Sequence, residues 1–229
     1  MTCGEIVERL RSLENQENVA GMARYGISAT NTLGVPVVVL RAMAGEIGKN
    51  HGLALELWET AIHECRILAS LVAEPDRLTP EVMEAWAGDF DSWDVCDQTC
   101  NNLFRKTRFA HEKALSWSRR QEEFVKRAGF VLMACLAVHD KSAGDDAFLG
   151  FLRRVREESN DERNFVKKAV NWALRGIGKR NEALNKAAVQ CSRELVDLDS
   201  KAAKWVGRDA LKELTNEKVL SRLKNKKKS

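Results

Sequence analysis

Trp93 and Asp97 stand four residues apart in the run Phe90-Asp91-Ser92-Trp93-Asp94-Val95-Cys96-Asp97. If Asp91 or Ser92 caps a helix there, the indole and the carboxylate stack on one face of it. Side by side, an indole face and a carboxylate form a site for a cation. From these residues alone the plainer reading is an indole in the core and an acid in solvent, because paired groups mark function only in some cases. Residues further along the chain change that balance.

Other chemistry-bearing groups carry less. Cys96 and Cys100 lie at i, i+4 with His111 following, but without a second Cys/His pair they read as packing rather than as a metal site. His63-Glu64 lacks the second histidine of a zinc-protease helix and reads as structural or surface. Gly176-Ile177-Gly178-Lys179 follows no strand, so it is no phosphate loop. It reads as a basic turn between helices, with Arg175, Lys179 and Arg180 available to phosphates.

The elements that must position these groups are helical. Only 3 prolines interrupt 229 residues, and Ala, Leu, Glu, Lys and Arg dominate. No stretch approaches the apolar length of a membrane span, and Met1-Thr2-Cys3-Gly4-Glu5 opens no signal peptide, so a soluble, cytoplasmic protein is expected. The 6 cysteines are scattered, mostly in apolar helical surroundings, where a reduced thiol behaves as a small hydrophobe.

Charge is unevenly distributed. The last eight residues carry five Lys/Arg, and the remainder holds 32 Lys/Arg against 33 Asp/Glu. Residues 51–102 hold 2 basic against 11 acidic side chains, whereas residues 103–180 hold 18 against 10. A basic later half suits a nucleic-acid face, although an alternating solvated surface explains charge runs more often than a ligand does.

Helices are predicted over 5–13, from 19, and over 37–47, 53–72, 80 onward, 110–117, 122–139, 145–156, 164–176, 182–196 and 200–214, with breaks at Ser142-Ala143-Gly144 and Gly176-Ile177-Gly178. Thr79-Pro80-Glu81 supplies an N-cap, a proline at the first position and an acid in the first turn. Phe124-Val125-Lys126-Arg127-Ala128 and Phe165-Val166-Lys167-Lys168-Ala169 are near copies 41 residues apart. Arg41, Arg66, Asp97, Arg127, Lys168 and Lys204 follow one another at steps of 25, 31, 30, 41 and 36. Such steps suit an all-α, HEAT- or armadillo-like solenoid of about five or six helical hairpins with a concave basic groove. One domain over residues 1–221 and a disordered Lys-rich tail over 222–229 are expected. An ordinary helical bundle with these charges snorkelling outward is the competing picture.

Tyr25, Leu33-Gly34-Val35-Pro36, Leu40-Arg41, the Trp93 run, the two Phe-Val-Lys repeats and Trp172-Ala173-Leu174-Arg175 together resemble the AlkD-like DNA alkylation repair family of HEAT-like repeat DNA glycosylases. That resemblance covers nearly the whole chain in order. It implies that Trp93, Asp97 and Trp172 contact the deoxyribose of a lesion, that Arg127 helps hold the backbone, and that Tyr25 is the N-terminal aromatic of the cleft. It further implies duplex DNA containing alkylated bases as the partner of a monomer that uses no cofactor and no deep base-flipping pocket. The chemistry fits the residues. An N3- or N7-alkylated purine is already cationic and needs no general acid to leave, and a carboxylate between aromatic faces stabilises the oxocarbenium-like sugar left behind. A non-catalytic helical-repeat module binding nucleic acid or protein is the alternative.

Overall fold

Short polar caps set the first helices. Thr2 accepts from the Glu5 N–H while the Glu5 carboxylate accepts from the Thr2 N–H at 2.8 Å, a reciprocal pair that starts α1 (Cys3–Ser12). Asn15 accepts from the Asn18 N–H at the head of α2 (Gln16–Ala23), and α3 (Val37–Ile47) follows Pro36. Asn50 caps α4 (His51–Glu59) by accepting from the Leu53 N–H. Then come α5 (His63–Val72), α6 (Pro80–Gly88) and α7 (Trp93–Asn102). Thr79 and Pro80 start α6 in the predicted manner. At α7, Ser92 occupies the cap position, but its hydroxyl donates to Asp91 Oδ1 instead of accepting from the helix.

The computed structural model describes residues 1–226. Its residues form two compact units, Met1–Phe109 and the segment from Ala110 onward. All regular structure among the described residues is helical, and no described helix is long and apolar enough to cross a membrane.

The single helix expected over 53–72 is two. Thr60 Oγ1 donates to Leu57 O at 2.7 Å and accepts the Ile62 N–H, Ala61 takes a left-handed φ of 53°, and the His63 N–H turns to Asn31 O at 2.9 Å. A threonine hydroxyl competing for backbone groups ends α4, and a residue with φ > 0 turns the chain. Apolar periodicity runs through the break because α4 and α5 both bury residues in the same core. At its centre Trp58 and Trp86 stack with centroids 4.0 Å apart, and Phe90 closes on Trp58 edge-on. Trp58 Nε1 donates to Asp89 Oδ2 at 2.9 Å, which satisfies the indole's one polar atom.

The second unit comprises α8 (Ala110–Trp117), α9 (Glu123–His139), α10 (Asp145–Glu157), α11 (Asn164–Gly178), α12 (Glu182–Asp197), α13 (Lys201–Leu214) and α14 (Glu217–Lys226). α9 is buried from Val125 to Ala137 and packs along α11. The two Phe-Val-Lys repeats open these helices in register, with the Phe124 and Phe165 rings 5.6 Å apart. The break expected at Gly176-Ile177-Gly178 is instead the last turn of α11. A Cβ on Gly178 would sit 2.7 Å from Leu214, so the glycine is required for close packing, not for a turn. The tail is also corrected in part. Residues 222–226 belong to α14, anchored by Leu223 at 3 % exposure, and the remainder of the tail, Lys227, Lys228 and Ser229, lies outside the described residues.

Candidate functional site

The first unit contains a cleft of about 660 Å³, lined among others by Met22, Tyr25, Val35, Pro36, His63, Trp93, Asp94 and Asp97. Its floor depends on the loop Leu33-Gly34-Val35, which folds over a buried carboxylate. Glu64, at 0 % exposure, accepts from the Leu33, Gly34 and Val35 N–H groups, the shortest at 2.7 Å from Gly34. Gly34 has φ 75°, and a Cβ there would lie 2.3 Å from Asn15 O. Glycine is therefore obligatory on two counts, conformation and space. Asn18 Nδ2 donates to Gly34 O at 2.9 Å and ties the loop to α2.

α7 contributes the chemistry. Trp93 and Asp97, one turn apart, both line the cleft and both are partly exposed, as the i, i+4 spacing requires. Trp93 Nε1 donates to Tyr25 O at 3.0 Å, which fixes the indole against the end of the α2 segment. Tyr25 itself is 75 % exposed at the rim. Between the tryptophan and the aspartate, Asp94 Oδ2 lies 2.8 Å from Nε2 of His63. At that distance the pair combines hydrogen-bond and charge attraction. Burial lowers the His63 pKa, and the adjacent Asp94 carboxylate more than compensates, so the net direction is upward. A raised folded-state pKa means the pair adds stability that is fully present below the ordinary histidine range and is lost as pH rises through the raised value. The thermal-stability gap between wild type and His63→Gln should accordingly be wider at pH 6 than at pH 9, and an equal gap at both would show that His63 is held neutral.

Neither His63 nor Glu64 stands out in the sequence as a cleft-forming residue, and both are. The available signal is an ionisable pair, His63-Glu64, set between the apolar Ile62 and Cys65. Cys96 and Cys100 are fully buried behind the cleft-lining face of α7, as packing residues.

The second unit holds the remaining sequence-predicted residues. Arg127 is 6 % exposed, and its guanidinium donates to Phe165 O at 2.6 Å, tying α9 to the start of α11. Lys168 is exposed on α11, and Trp172 is partly exposed one turn later. The turn expected to offer Arg175, Lys179 and Arg180 to phosphates uses them internally. Arg175 and Lys179 reach Glu213 at 2.7 and 2.6 Å, and Arg180 donates to Ala137 O and Ala143 O while lying 4.1 Å from the Phe148 ring centroid. Carbonyls left over at the end of α9 and in the following loop attract the arginine fork more strongly than solvent does.

A family model described as DNA alkylation repair enzyme matches residues 6–214. The chain belongs to the DNA alkylation repair family. An uncharacterized protein of Listeria innocua, Lin0241, is 21 % identical to this chain over 199 residues, covering 85 % of this chain and 87 % of the relative. A solved structure matches with a TM-score of 0.79 at 19 % identity, covering 97 % of this chain and 96 % of the other. It is described as representing a new family of proteins related to the HEAT-like repeat DNA glycosylases with affinity for branched DNA structures. At that identity the likeness establishes the fold of this DNA alkylation repair family member as HEAT-like, in agreement with the repeat spacing.

Proposed function

We propose that this protein is a DNA glycosylase that releases cationic N3- or N7-alkylated purines from duplex DNA. The observation that carries the reading is the placement of Asp97 beside Trp93 in one partly desolvated cleft, with the indole held by Tyr25. The glycosidic bond breaks with its electron pair leaving on the purine, which neutralises the purine's charge and leaves an oxocarbenium-like sugar. The Asp97 carboxylate stabilises that cation, the indole face adds cation–π attraction, and water adds to the anomeric carbon with loss of a proton. Trp172, by the family resemblance, supplies the second aromatic contact. Arg127 acts on the DNA backbone indirectly, by holding the start of α11 on which Lys168 and Trp172 stand. No step of this chemistry requires a cofactor.

Single-turnover release of 7-methylguanine or 3-methyladenine from alkylated duplex DNA tests the proposal, and absence of release by the wild type would overturn it. A second reading, a DNA-binding module without turnover, draws on the branched-DNA affinity of the structural neighbour. Retained DNA binding without release would select that reading.

Either way, binding should be largely independent of sequence and should weaken with salt, because phosphate neutralisation releases counterions. Lys168→Glu should weaken duplex binding and make the log–log salt slope shallower by about one unit or more. An unchanged slope, measured by fluorescence anisotropy from low to physiological salt, would remove Lys168 from the interface.

A further inference from the structure

α13 presents Lys201, Lys204, Arg208 and Lys212 at steps of three and four, the spacing that aligns side chains along one side of a helix. With Trp205 and Asp209 they line a surface recess of about 440 Å³. Trp205 is 42 % exposed, and Lys167 Nζ, from α11, lies 5.2 Å from its ring centroid. The nearby acids are already engaged. Asp209 accepts from Asn171 Nδ2 at 2.8 Å and lies 3.7 Å from Arg175 Nε, and Asp199 lies 3.8 Å from Lys204. Five cations therefore flank an exposed indole; Asp199 offsets Lys204 only weakly from a fully solvent-exposed position, and Asp209 is taken up by Asn171 and Arg175.

Phosphate binding alone accounts for the cations, not for the indole. An indole left in water gains nothing from a duplex whose bases are stacked internally, whereas any unpaired base offers it a π-face. We infer that this shelf binds an unpaired segment of DNA, with one base stacked on Trp205 and the flanking phosphates neutralised by Lys201, Lys204, Arg208 and Lys212. The site is formed entirely by the second unit and shares no lining residue with the Trp93–Asp97 cleft of the first. It rests on the DNA-binding reading above and extends it to a single-stranded ligand. Because the shelf is lined by cations and an indole, recognition should tolerate most base sequences.

The test uses the full chain with labelled oligothymidylate, a blunt duplex, and the same duplex carrying a single-stranded overhang. Trp205→Ala should weaken binding of oligothymidylate and of the overhang substrate by about tenfold, the loss of one stacked base, while changing blunt-duplex binding by less than about twofold. Trp205→Phe should retain most of the affinity. Trp205→Leu, which keeps an apolar side chain without a stacking plane, should behave like the alanine variant and guards against a packing defect in the latter. Unchanged oligothymidylate affinity in the Ala and Leu variants, or an equal loss on the blunt duplex, overturns the inference. Wild type that binds blunt duplex but not oligothymidylate overturns this inference alone, and wild type that binds neither overturns the DNA-binding reading with it.

Discussion

Replacing Asp97 by Asn should leave the fold and most of the DNA affinity in place while base release falls by about a hundredfold or more. The carboxylate lines a cleft on α7 and is partly exposed, so the isosteric amide fits the same space. What the amide lacks is the negative charge, and that charge matters only when the sugar becomes cationic. Loss of a single preorganised electrostatic group in other enzymes lowers turnover by about two to three orders of magnitude. Trp93→Ala should cost less, because the carboxylate remains, yet it also removes the hydrogen bond to Tyr25 O and loosens the cleft wall. If Asp97 were only a helix charge in solvent, Asp97→Asn would shift stability by about half a kcal/mol or less and leave release untouched. Single-turnover rates with parallel affinity measurements separate the two, and equal rates would eliminate Asp97 as the catalytic group.

Features set by local chemistry were legible in the sequence. Thr79-Pro80-Glu81 starts α6, and Ala110–Trp117 forms α8 at the boundaries its periodicity indicates. The shared face of Trp93 and Asp97 follows from a spacing of four on one helix. The Phe-Val-Lys repeats are legible for a related reason, since copies of one unit bury the same face and bring Phe124 against Phe165.

Features set by distant partners were not legible. The Thr60–Ile62 break depends on the His63 N–H finding Asn31 O, a contact that no window around residue 60 contains. Cation availability fails similarly. The basic excess of residues 103–180 is visible by counting, but the assignment of Arg175 and Lys179 to Glu213, 38 and 34 residues away, is not. Trp205 illustrates the converse, an aromatic in a helical apolar pattern that packing leaves 42 % exposed.

Glu64 offers the sharpest test of what holds the cleft together. Its carboxylate is fully buried and accepts three backbone N–H groups from Leu33, Gly34 and Val35, so it substitutes for the secondary structure this loop lacks. Glu64→Ala would leave three donors without an acceptor, those of Gly34 and Val35 buried and that of Leu33 partly so, and a cavity where the side chain stood. At about 1–3 kcal/mol for each orphaned group, partly relieved by water entering, a loss of about 3–5 kcal/mol is expected. For a chain of this size that lowers the Tm by about 10 °C or more. Glu64→Gln retains one oxygen, and Oε1 alone serves all three residues, so its loss should be clearly smaller. The diagnostic outcome is a measurable loss in Gln, smaller than in Ala, because a purely steric role would leave the isosteric Gln at the wild-type Tm, whereas an amide nitrogen in place of Oε2 no longer accepts from Leu33 N–H. Gly34→Ala attacks the same loop from the other side, through a Cβ 2.3 Å from Asn15 O and a left-handed φ, and should be comparably destabilising. In all three variants base release should decline only as far as the Val35-Pro36 wall of the cleft is lost, since Trp93 and Asp97 are carried by α7. A Glu64→Ala protein with wild-type Tm would show that the loop finds its acceptors elsewhere.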